Sequence, residues 1–219
     1  MSVLNGEMAN HIKRATLFFA IILLVPLIVG FIDSWSAALG FILFLLGIPV
    51  TLVVLATGTI VGLAKAAKLP LEDGDRRNRA FAVGVILLLF AATILGALPS
   101  LRIGSFIGSF SRLMVNHRHY EAIIAKANKT RQSVWYEDDG AITYSTDLGP
   151  PIRVAFNPAG MLDNWSGIIY DPTGDVMLAN GFDPKTGKFF APERVTKIFG
   201  GDLVGCRHLW GSYYDCSFT

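Results

Sequence analysis

Three stretches without a charged side chain, residues 15–32, 36–64 and 80–99, constrain this chain more than any other feature. A hydrocarbon core of about 30 Å needs roughly 20 helical residues at 1.5 Å each. In lipid the backbone must satisfy its own hydrogen bonds, and single uninterrupted apolar runs lack the alternation of barrel strands. Each stretch is therefore expected to be a membrane-spanning helix. The middle stretch exceeds one upright span, and Pro49 removes a backbone donor within it, so a tilted or kinked helix is expected there. The first stretch is longer than the apolar region of a signal peptide, which reads as a retained span rather than a cleaved one.

Lys and Arg set the orientation of such helices, because cationic flanks stay on the cytoplasmic side. Lys13 and Arg14 precede the first stretch, and Lys65, Lys68, Arg76, Arg77 and Arg79 fill the second connection, whereas the first connection, around Asp33 to Trp35, has neither residue type. Three crossings then leave the N-terminus in the cytoplasm and everything after about residue 100 outside, in a bacterial-type inner membrane. The only two cysteines, Cys206 and Cys216, fall in that exported part, where disulfides persist.

The remaining residues divide in two. From Ser105 to about Ala127, Phe106, Phe110, Leu113 and Met114 recur at helical spacing, which predicts an amphipathic connecting helix over 101–127. Beyond Asn128 the period changes to 2 and turn residues recur, so 128–219 is expected to form an antiparallel sheet packed on one or two helices. The fold class is thus a three-helix membrane anchor, residues 1–100, followed by a small exported α+β domain. Hairpins are expected around Asp138 to Gly140, around Asp171 to Asp175, and at the C-terminus. There a three-residue connection, Trp210, Gly211 and Ser212, would set Cys206 opposite Cys216 and Arg207 opposite Asp215, with one face of the pair polar and the other apolar.

Several residue sets invite a chemical reading. His117 and His119 diverge on a helix, whereas His117 and Glu121, four apart, converge; no further Cys or His stands at zinc-like spacing, so no metal or other cofactor is expected. Cys206 beside His208 would suggest a nucleophile, but a cysteine at the facing position favours a bridge. The acidic turns carry the Asp, Pro and Gly of ordinary tight turns and do not match a calcium loop. With 12 basic and 12 acidic residues after position 100, the exported part offers no cationic surface for nucleic acid. The spans hold no Asp, Glu, Lys, Arg or His, which disfavours a pump or carrier.

Small residues four apart, Gly58 with Gly62 and Ala92 with Gly96, are expected to pack helices two and three together, or to dock another protein or a second copy. The leading functional reading is a membrane-anchored extracytoplasmic binding or accessory module. It would meet a membrane or periplasmic protein through Trp135, Trp165 and Trp210. The competing readings are a tethered envelope enzyme centred on His117, His119, Glu121 or His208, and a structural oligomer.

Overall fold

A computed structural model describes residues 2–68, 76–161 and 164–219. Residues 69–75, in the basic second connection, lie outside the described residues, as does the side chain of Arg77. The chain forms two compact units, Met1–Gly108 and Ser109–Thr219.

In the first unit, α1 (Ser2–Trp35) meets α2 (Ala37–Ile42) across the single residue Ser36. Ser36 is extended, and its hydroxyl accepts from the Leu39 amide 3.4 Å away, so it ends one helix and caps the next. A π-helical turn, Leu43–Gly47, leads into α3 (Ile48–Ala67), whose second residue is Pro49. A proline ring clashes with the carbonyl four residues earlier, here that of Leu45; the wider turn sits at that point and lets the run continue. The expected irregularity is thus a π-turn ahead of the proline rather than a break. A long helix, α4 (Arg76–Thr130), completes the unit, with Pro99 inside it. Among the described residues three helices are long and apolar enough to cross a membrane, covering Gly6–Trp35, Ala37–Ala67 and Asn78–Thr130.

The connecting helix expected over 101–127 forms as the continuation of the third apolar run. Nothing between residues 100 and 105 breaks it: Gly104 is helical, and there it serves close packing. A Cβ at Gly104 would overlap the Leu27 carbonyl, one at Gly108 the Phe31 carbonyl and Ser34 hydroxyl, and one at Gly30 the Leu101 carbonyl. At these three glycines the backbones of α1 and α4 approach closely. Gly58 of α3 lies against the Phe18 ring of α1, Gly62 near Ile86 of α4, and Gly96 near Leu23 of α1, while Ala92 is exposed. Two of the four small residues named for helix two against helix three therefore contact α1 instead.

The second unit carries a seven-stranded antiparallel sheet: β1 (Glu137–Asp139), β2 (Ile142–Asp147), β3 (Arg153–Met161), β4 (Asn164–Tyr170), β5 (Lys197–Ile198), β6 (Gly201–Trp210) and β7 (Tyr213–Phe218). Its spatial order is β1-β2-β3-β4-β7-β6-β5. Two hairpin-linked sets join where β7 pairs with β4. Alternate residues of the strands feed two cores. On one face Tyr144, Val154, Phe156, Ile168, Leu209 and Tyr213 pack on Leu113, Tyr120, Ile123, Ile124 and Ala127, the helical stripe of α4. On the other face Ala155, Ile169, Leu203, Tyr214, Cys216 and Phe218 are covered by Val176, Val195, Ile198 and Phe199. Phe156 stacks on Tyr120 at 4.0 Å between ring centroids.

Two local expectations change. Residues 176–178 do not pair as a strand but form a 3-10 turn, Asp175–Leu178. The buried Asp171 carboxylate accepts from the Thr173 amide and hydroxyl and from the Val176 amide, and lies 3.3 Å from the Arg153 Nε. Those bonds curl the chain at Val176 instead of leaving it extended. Burial alone would raise this carboxyl, but the Thr173 hydroxyl, the two amides and Arg153 outweigh burial and hold it below the usual carboxylate range. The C-terminal connection is the second change. Trp210 pairs with Tyr213, leaving a two-residue turn, Gly211 and Ser212, with φ of 55° at Gly211. A bulge between His208 and Trp210 absorbs the extra residue, so Cys206 still faces Cys216 and Arg207 faces Asp215. A second bulge, between Leu203 and Gly205, swings Leu203 into the core. One face keeps the pair of Arg207 and Asp215 and the exposed Ser217, while Leu209 and Tyr213 near the turn join the α4-side core.

Candidate functional site

The half-turn spacing of α4 separates His117 from His119. His119 Nε2 lies 3.2 Å from Asp139 of β1, on one flank of the helix. His117 faces the opposite flank, where its Nε2 is 3.7 Å from Glu121 Oε1 across one helical turn. His208 is separate from both: its Nε2 is 2.9 Å from the Gly211 carbonyl oxygen and its ring lies beside Tyr214. Of the four polar residues proposed for an enzyme centre, the structure brings together only His117 and Glu121. Among the described residues no group of three or more His, Cys, Asp or Glu is placed to hold a metal ion.

What gathers around His117 comes from the C-terminal hairpin. The Leu209 bulge and the tight turn place Tyr213 and Trp210 on the α4 side of the sheet. Both rings meet the imidazole edge-on, at centroid distances of 5.1 Å for Trp210 and 5.7 Å for Tyr213. The Tyr213 hydroxyl donates to Glu121 Oε1 at 2.5 Å. Burial, then the hydrogen bond to Glu121 and that carboxylate's charge, push the Tyr213 phenol far above its usual range, so it remains a donor at any physiological pH. Tyr170 stands behind, 5.5 Å from the Tyr213 ring, and is also raised by burial first and by Glu121 second.

The arrangement forms a short row, Trp210, His117 and Glu121, over a floor of buried Tyr213. Trp210 is 51% exposed, and the His117 and Glu121 side chains are 31% and 52% exposed. Tyr213 fills one carboxylate oxygen of Glu121, while Oε2 has no partner among the described residues. Two cations of this unit are engaged elsewhere: Arg207 with Asp215, which also accepts from Ser109, and Lys126 with Glu137 and Tyr144. The row lies on a strand hairpin closed by the disulfide between Cys206 and Cys216, whose Cα atoms are 4.1 Å apart.

The three tryptophans named from the sequence have different surroundings. Trp165 is only half-buried yet spent in packing, stacked on Phe218 at 3.8 Å with its edge partner Phe199. Trp135 is 60% exposed beside Tyr136. Trp210 stands next to an imidazole, His117, which in turn approaches the Glu121 carboxylate. Sequence spacing gave the pairing of His117 with Glu121, but Tyr213 carries no local signal. It arrives through a pairing 92 residues away. Comparison with family models, curated proteins and solved structures finds no match for this chain.

Proposed function

We propose that the chain is a membrane-anchored binding or accessory module. Its helices sit in a bacterial-type inner membrane with the N-terminus in the cytoplasm, and its α+β domain meets a protein partner on the outer side. The helices' length and apolar surface, the asymmetry of Lys and Arg between connections, and the bridged cysteines of the second unit support the anchor and its direction. One observation carries the binding reading: a half-exposed Trp210 held on a disulfide-closed hairpin against His117, which approaches Glu121. Fixed aromatic side chains with a polar neighbour are the usual anchors of protein interfaces. The scattering of His119 and His208 away from this row takes support from the tethered-enzyme reading, since a catalytic centre needs its base, acid and orienting group within hydrogen-bond reach of one another.

A photo-reactive amino acid in place of Trp210, irradiated in intact membranes, tests the reading. The expected result is one discrete protein adduct, absent when the reactive group replaces the exposed Lys129 on the far end of α4. Monomer alone at both positions would count against it.

A further inference from the structure

We propose that the Trp210, His117 and Glu121 row receives an arginine side chain of the partner, its guanidinium lying on the indole and its N–H groups bonded to Glu121 Oε2. This rests on the binding reading and names the chemistry of that same surface. The row offers a carboxylate whose Oε1 is filled by the Tyr213 hydroxyl at 2.5 Å, which fixes the group's rotamer before any ligand arrives. Preorganisation of that kind lowers the ordering cost of binding. Among the described residues no lysine or arginine pairs with Glu121, which is half-exposed and approaches His117, the imidazole that stands beside two aromatic rings. A carboxylate with one oxygen left for a partner, one imidazole away from an exposed indole, is complementary to a planar, weakly hydrated cation, which can stack and form the hydrogen bond together. A lysine ammonium fits less well, because it must shed a tightly held hydration shell to lie against the ring. His117 stands between Trp210 and Glu121, and buried Tyr213 closes the floor against water.

The test uses the full chain in nanodiscs, with acetyl-arginine-methylamide as the probe and its methyl signals read by saturation-transfer NMR. Acetyl-glutamine-methylamide is the neutral control and acetyl-lysine-methylamide the ammonium control. The expected result is saturable binding of the arginine probe in the millimolar range, at least fivefold weaker for the lysine probe and undetectable for the neutral one. Glu121→Gln keeps an acceptor for Tyr213 and removes only the charge, so it should weaken arginine binding at least fivefold, while Glu137→Gln leaves it unchanged. Should Glu121→Gln misfold, Trp210→Ala serves instead, since it removes an exposed ring, and the same loss is expected. Absence of saturable binding, or equal binding by Glu121→Gln or Trp210→Ala, overturns the proposal. The two readings fail separately: a Trp210 adduct that persists in Glu121→Gln removes the arginine and leaves the module, and arginine binding without any adduct does the reverse.

Discussion

The two units use apolar side chains in opposite ways. In residues 1–108 the large apolar residues mostly point outward, with Leu95 77% and Val53 66% exposed, and the inner cluster is a thin seam of Phe19, Ile22, Leu55, Ala66, Ala82 and Ile86. In residues 109–219 they turn inward, into two cores on either face of one sheet. The contrast teaches that hydrophobic content alone does not say what holds a unit together. In the proposed lipid setting, removing an apolar side chain from its neighbours gains or loses little solvation energy, and close backbone approach through Gly30, Gly104 and Gly108 supplies the cohesion. In the second unit, burial and a few hydrogen-bonded buried polar groups do so.

Substitutions at matched positions can break that contrast. The largest expected effect is Phe156→Ala, which empties a fully buried ring site stacked on Tyr120 and should cost about 3–5 kcal/mol, measured by thermal unfolding of the second unit's near-UV signal. A substitution of equal size at Leu95, exposed on α4, should leave that signal unchanged. Close behind comes Asp171→Ala, which leaves the buried Arg153 without its counter-ion and should cost about 3 kcal/mol or more in the same assay.

Reduction of the Cys206 to Cys216 bridge opens a loop of sequence separation 10 and should destabilise the second unit by about 3 kcal/mol without shifting the first. Gly104→Val tests the first unit alone: a side chain there overlaps the Leu27 carbonyl, so α1 and α4 must part, at a cost of about 1–3 kcal/mol. Gly84→Ala on the same helix meets nothing within 4 Å and should be neutral or stabilising by up to about 1 kcal/mol.

The smallest effect is one of pH. Because the Asp171 carboxyl titrates lower in the folded protein than in the unfolded chain, its contribution is present at neutral pH. It is lost as pH falls below the unfolded value of about 3.9 and through the folded one. The acid-side loss of stability in the second unit should therefore be shallower in Asp171→Asn.

How far the sequence could be read depended on whether the cause was local. The apolar runs were legible because length and absence of charge are properties of one segment, and so was the i, i+4 approach of His117 to Glu121. The helix over 101–127 was legible from its apolar spacing, but its continuity with the third apolar run was not, and the small residues Gly104 and Gly108 within it pack on α1. The strand expected at Val176 failed through the Asp171 carboxylate, five residues upstream, which captures the backbone amide there. The hairpin register was legible from cysteine symmetry, yet its route was not: bulges at Val204 and Leu209 leave no mark in a two-residue period until neighbouring strands are in place. The aromatic floor of the candidate site belongs to the same class, since Tyr213 reaches Glu121 only after β7 has paired with β4 and β6.

The central claim is that the second unit lies outside a membrane that the first unit spans. Single-cysteine variants, Lys185→Cys in the exposed turn after Phe182 and Lys68→Cys after α3, each with Cys206→Ala and Cys216→Ala, test it with a maleimide that cannot cross lipid, applied to intact cells and then to lysed ones. The account predicts labelling of position 185 in intact cells and of position 68 only after lysis. Labelling of position 68 in intact cells, with position 185 protected until lysis, would contradict it.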